Sequence, residues 1–128
     1  MRWRREVERE LRAIGLTFPQ WLVLDATAAL VRETDDAPNQ NAVAARVELD
    51  KMTVSQIMRT LAVERLVDRG PDLSGRAYRI CVTKRGAQVW RAGRSRVEAA
   101  SLRMRERPVG VGAPTTDRTE DGSSAGGG

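Results

Sequence analysis

The stretch from Asn39 to Leu61 constrains this chain most, because it reads as two short helices joined by a tight turn. Asn39 can cap the first helix, which runs to about Val47 with Ala42, Val43, Ala44 and Val47 facing inward. Glu48, Leu49 and Asp50 make the turn, and Asp50 caps a longer helix from Lys51 to about Glu64. Val54, Ile57, Met58 and Leu61 recur at i, i+3, i+4 and i+7, which is one helical face. Two helices pack closely only where a small residue lets them approach. Ala44, with Val54 and Ile57 beneath it, falls at the intervals of a helix-turn-helix. The alternative is a plain helical hairpin in an all-α domain. The outward face of the second helix argues against that. It carries Lys51, Met52, Thr53, Ser55, Gln56, Arg59 and Thr60, and no acid. A solvated helix mixes Glu with Lys, whereas a surface that meets phosphates and base edges excludes carboxylates.

Position on such a helix assigns roles. Its first turns point into a major groove. Gln56 can pair bidentately with adenine, Ser55 can reach base edges or phosphate, and Met52 can touch a thymine methyl. Lys51, Thr53, Arg59 and Thr60 are placed for phosphate. Downstream, LVDR (66–69) and YRICVT (78–83) read as short strands, with Gly70, Pro71, Asp72, Ser74 and Gly75 supplying turn chemistry between them. Arg76 sits at the hairpin tip, with Arg79 after it and Arg69 before it. An arginine there can enter a narrow minor groove; standing alone, the hairpin would read equally well as a solvated loop.

The remaining elements are helical. Trp3, Val7, Leu11 and Ile14 share one face of a helix over 3–14, which Gly15 stops. Thr17 and Gln20 form a capping box with Pro19 in the first turn, opening a helix to about Val31. Its stripe is Trp21, Leu22, Leu24, Ala28 and Val31, and Glu33, Thr34, Asp35, Asp36 and Pro38 form a polar loop after it. Thr83 caps a last helix to about Arg105, with Val89, Trp90, Val97, Ala100, Leu102 and Met104 as its apolar positions. The expected fold is mainly α with one small antiparallel hairpin: a winged helix-turn-helix flanked by terminal helices. Those helices carry apolar strips (Trp3 to Ile14, and Trp90, Val97 and Leu102) that either pack on their own domain or meet across a two-fold axis in a homodimer. Residues 1–107 form the expected domain, and 108–128, rich in Gly and Ser, the expected disordered tail.

Charge and composition narrow the function. Residues 51–107 hold fourteen Arg or Lys against five Asp or Glu, in a chain whose net charge is only +5. A basic block of that kind suits a polyanion. There is no His, so a His-based catalytic triad is impossible, and the single cysteine, Cys81, forms no internal disulfide. Cys81 alternates with Ile80 and Val82 and is expected to be a half-buried strand residue. No metal cluster, phosphate loop or activated nucleophile is evident, so an enzyme is a poor reading and no cofactor is expected. No apolar run is long enough for a bilayer and the start, MRWRREVERE, is unlike a signal peptide, so a cytoplasmic protein is expected.

Four segments together resemble the MarR family of winged-helix regulators: LTFPQWLVL (16–24), LDKMTVSQIMRTL (49–61), LVDRG (66–70) and GRAYRICVTKRG (75–86). The resemblance spans roughly Trp3 to Ala100. It implies a homodimer, built from the terminal helices, that binds palindromic operators on double-stranded DNA, more often as a repressor. In many members a small aromatic ligand or an oxidant acting near the dimer–DNA domain junction releases the DNA. Carried onto this chain, Lys51, Thr53, Ser55 and Gln56 take recognition-helix positions and Arg76 the wing arginine. The chain departs from the family pattern at Gln56, where Arg is common, at Arg65, where Gly is usual, and at Ser74, where Asp often precedes the Gly-Arg pair. The helical turn also has Glu48 where Gly is frequent, and the first helix begins close to Met1. These departures leave a second expectation: a winged-helix interaction module that pairs with another regulator without touching DNA.

Overall fold

Thr17 starts the helix around which the others are arranged. Its Oγ1 accepts from the Gln20 amide at 3.2 Å, and Gln20 Oε1 accepts from the Thr17 amide at 2.9 Å, so two amides without helical partners are satisfied reciprocally. In the computed structural model, which describes residues 2–71 and 78–106, this helix is α2 (Phe18–Thr34). It runs three residues past the expected Val31, so Glu33 and Thr34 belong to the helix and not to the loop. Asp35, at φ 55°, closes it by donating its amide to the Val31 carbonyl. Trp21, Leu24 and Ala28 are buried as the stripe requires, yet so are Val23, Ala26 and Thr27. The reason is position: α2 touches α3 (Gln40–Val47), α4 (Lys51–Val63), β2 (Tyr78–Val82) and α5 (Lys84–Glu106). The buried Thr27 hydroxyl donates to the Val23 carbonyl at 2.8 Å, so no polar group is stranded there.

Helix α1 (Arg2–Arg12) ends at Gly15, whose φ of 82° suits a residue without Cβ. Val7 and Leu11 are fully buried, and α1 packs on α5 of its own chain. The α1 strip is therefore largely covered within one chain; Trp3 (38% exposed) and, on α5, Leu102 (47%) remain open. Two glycines let α5 come close. A Cβ on Gly93 would lie 2.4 Å from the Trp21 ring, and one on Gly86 would lie 1.9 Å from the Leu66 carbonyl oxygen.

The helix-turn-helix forms as its caps predict. Asn39 Oδ1 accepts from the Asn41 amide and Asp50 Oδ1 from the Thr53 amide. Ala44 and Val54 are buried at the crossing, and Ile57 is half-buried. Ala42, expected to face inward, is exposed. The turn needs a left-handed residue, and Glu48 supplies it at φ 60°. Strand β1 (Val67–Pro71) then pairs antiparallel with β2, Val67 opposite Val82 and Pro71 opposite Tyr78. A further bridge joins Asn39 to Arg79, and the Ile80 amide donates to the Pro38 carbonyl at 2.9 Å. The segment before α3, read as loop, thus lies along the hairpin. Thr83 caps α5 through the Gly86 amide (2.9 Å) while its hydroxyl donates to the Arg65 carbonyl (2.6 Å). The expected tail, 108–128, and Ser74, Gly75 and Arg76 at the hairpin tip lie outside the described residues. Among the described residues no helix is long and apolar enough to cross a membrane.

Candidate nucleic-acid interface

Helix α4 is divided by its core face. Val54, Met58 and Leu61 are fully buried, and this turns Lys51, Met52, Gln56, Arg59 and Thr60 to the exterior. Asp50 fixes where the helix begins, so the side chains of the first turns project from a defined end. Lys51, Met52, Ser55, Gln56 and Arg59 line one open concavity of about 560 Å³. Its other walls are Gln40 and Asn41 at the start of α3 and Tyr78 at the start of β2. The lining holds two cations and no carboxylate. Arg59 donates to the Ser55 hydroxyl at 3.4 Å. Met52 is 71% exposed, a large apolar side chain with nothing of its own fold to cover it.

Among the described residues, Thr53, Thr60 and Arg79 stand apart from this concavity. Thr53 is half-buried, its amide taken by Asp50. Thr60 is exposed and donates to the Gln56 carbonyl at 3.3 Å. Arg79 is a strut: its guanidinium pairs with Asp36 at 3.5 Å and donates to the Ala37 carbonyl, fastening the loop after α2 to the hairpin. Three lining residues, Gln40, Asn41 and Tyr78, were missed by sequence reasoning. The capping role of Asn39 was a usable signal for the first two, since it places Gln40 and Asn41 in the first turn of α3. For Tyr78 only the strand register would have served, because it decides which side chains of β2 face the concavity.

No protein family's sequence profile matches the chain, and no curated protein sequence does. Solved structures do match. A MarR-family transcriptional regulator from Rhodococcus sp. RHA1 superposes with a TM-score of 0.73 at 28% identity, over 83% of this chain and 72% of its own. CouR from Rhodococcus jostii RHA1, solved bound to p-coumaroyl-CoA, gives 0.70 at 28% identity, over 84% and 72%. The MepR–DNA complex of S. aureus gives 0.72 at 20% identity, over 84% and 77%, a likeness of fold. The fold of this chain is that of the MarR-family winged-helix regulators.

The chain's departures from the MarR pattern now have a geometry. Arg65 adopts φ 65°, the left-handed conformation that glycine usually supplies, and Glu48 does the same between the helices. Each turn carries strain of the kind a Cβ brings to that region. At Arg65 the strained turn is held from outside. The Leu66 amide reaches back to the Leu61 carbonyl at 2.9 Å, and Thr83 binds the Arg65 carbonyl. Arg85 donates to the Glu64 carbonyl at 3.2 Å, so the first residues of α5 secure the last turn of α4. Cys81 is exposed, not half-buried, because Ile80 takes the core side of β2 and its neighbour must take the other.

Across α2 and α5 lies a second concavity, about 500 Å³, lined by Asp25, Ala29, Arg32, Glu33, Trp90 and Arg94. Trp90 Nε1 donates to Asp25 at 2.9 Å, and the guanidiniums of Arg32 and Arg94 lie 5.6 and 5.2 Å from its ring centre.

Proposed function

We propose that this MarR-family transcription regulator binds double-stranded DNA sequence-specifically as a homodimer, acts as a repressor, and is released by a small aromatic effector. The observation that carries the reading is the acid-free, outward face of α4, open beside the start of α3 and the hairpin. Gln56 and Ser55 read base edges, Met52 meets a thymine methyl, and Lys51, Thr53, Arg59 and Thr60 hold phosphates. Arg76 keeps the minor-groove role its sequence position suggests, and Arg79 sets the hairpin's position through Asp36 and Ala37. Trp3 and Leu102, exposed at neighbouring ends of α1 and α5, are the apolar side chains left for a partner copy. The Trp90 cleft offers an aromatic face flanked by two guanidiniums, which suits an aromatic acid. The setting is cytoplasmic and the action is binding, not catalysis.

The test selects duplexes from a random library and follows binding by fluorescence anisotropy across a salt series. Affinity should fall steeply with salt. Gln56→Ala should lose about 1–3 kcal/mol of discrimination at one base position per half-site, with half-sites about 10 base pairs apart. Failure to bind any duplex at low salt would sink the reading. A monomer by light scattering at micromolar concentration would remove the dimer from it.

A further inference from the structure

Two buried side-chain polar atoms have no hydrogen-bond partner among the described residues. One is Gln40 Oε1, on a side chain only 9% exposed in the wall of the α4 concavity; the other is Arg69 Nε on β1. The hairpin's register explains why Arg69 is there. Arg69 pairs with Ile80, so it and Tyr78 share a face of the hairpin as diagonal neighbours. The guanidinium carbon of Arg69 lies 4.1 Å from the Tyr78 ring centre. Tyr78 itself is 46% exposed and lines the concavity. Arg69 has no carboxylate partner among the described residues. A folded chain rarely leaves a buried donor or a buried acceptor unmatched, since each is costly to strand.

We infer that this corner, Arg69 and Tyr78 with Gln40, is a phosphate seat for the DNA strand that borders the α4 groove. The inference rests on the DNA-binding reading and adds to it residues outside the recognition helix. A phosphate oxygen accepts from the Arg69 guanidinium and from the Tyr78 hydroxyl. An ordered water donates one hydrogen to Gln40 Oε1 and the other to the phosphate. The stacked ring holds the guanidinium flat and in place, so little ordering is left to do when DNA arrives. Gln40 is a positioning residue: it acts on the phosphate only through the water.

The experiment titrates the full chain and three variants, Tyr78→Phe, Arg69→Gln and Gln40→Met, against the selected duplex, with thermal melts to show that each is folded. It is repeated with duplexes in which single phosphates are replaced by neutral methylphosphonates. One phosphate per half-site should weaken the parent about tenfold or more when neutralised, and that loss should shrink in Tyr78→Phe and Arg69→Gln. Arg69→Gln should also reduce the salt slope by about one while leaving base preference unchanged. Gln40→Met should weaken binding without lowering the melting temperature, an outcome a purely structural role would not give. If Tyr78→Phe and Arg69→Gln bind with the parent's affinity and salt slope while Gln56→Ala still alters base preference, the seat does not exist and the DNA-binding reading survives. If the parent binds no duplex, both fall.

Discussion

Arginine has two different fates in this molecule. Across the α1–α5 seam several of its charges are matched: Glu10 accepts from Arg96 and Arg103, both at 2.9 Å, Arg103 also lies 3.7 Å from Glu6, and, within α1, Arg4 meets Glu8 at 3.1 Å. On the α4 side, Lys51, Arg59 and Arg69 meet no carboxylate among the described residues. The sequence is similarly basic in both places. What separates them is whether the fold supplies the counter-charge. Where it does, the cation belongs to the structure; where it does not, the cation is left available to an outside anion, and a polyanion would be a natural source.

The seam can be broken at its apolar centre. Leu11 is fully buried between α1 and the rest of the core. Leu11→Ala should cost about 2–5 kcal/mol, the lost transfer energy together with the cavity left behind. Urea unfolding followed by circular dichroism measures this. A midpoint equal to the parent's would mean that α1 is not part of the cooperative unit, and the contrast between a structural seam and a functional groove would lose its first half.

Much of this architecture was legible because it is written in short-range chemistry. Thr17 with Gln20, Asn39, Asp50 and Thr83 each mark a helix start by an oxygen that can take a free amide, and every one of those hydrogen bonds forms. The α4 core face was legible from spacing alone, as Val54, Met58 and Leu61 show. What escaped is what depends on neighbours distant in sequence. The stripe on α2 could not announce Val23, Ala26 and Thr27, because burial there comes from α3, α4, α5 and β2 together. Strand alternation gave Cys81 a period but not a side, since the side is set by which face of the hairpin meets the core. Glu48 and Arg65 looked like departures because glycine is the cheap left-handed residue; the fold uses that conformation all the same. Tyr78 joins the candidate interface through the placement of the hairpin beside α3 and α4, for which no local pattern exists.

The matched charges themselves can be tested more gently. Glu10→Gln removes the carboxylate that takes two guanidiniums. Both arginines are partly exposed, so the loss should be small, about 0–1 kcal/mol, and should shrink further as salt is raised. Duplex affinity should stay at the parent's value. A tenfold change in affinity from Glu10→Gln would show that the seam and the groove are not separate, and that matched arginines also serve the ligand.

The smallest effect sits where the two regions come nearest in kind. Arg46 stands on α3, the helix whose first turn walls the concavity, yet it is matched: it donates to Glu33 on α2 at 2.8 Å. That hydrogen bond, assisted by the charge itself, holds the Glu33 carboxyl below its ordinary value of 4.5 and raises Arg46. A carboxyl whose folded value is depressed stabilises the fold above its unfolded value, and the benefit is lost as pH falls through the lowered folded value. Both side chains are well exposed, so the contribution is slight. Melting temperatures of the parent and Glu33→Gln should therefore differ a little near pH 7 and converge well below pH 4.5; a gap that persists at low pH would assign the effect to something other than the charge. If matching, and not location, decides an arginine's fate, Arg46→Ala should leave duplex affinity unchanged although α3 borders the groove. A loss of binding comparable with that of an α4 variant would make proximity the governing rule and pairing incidental.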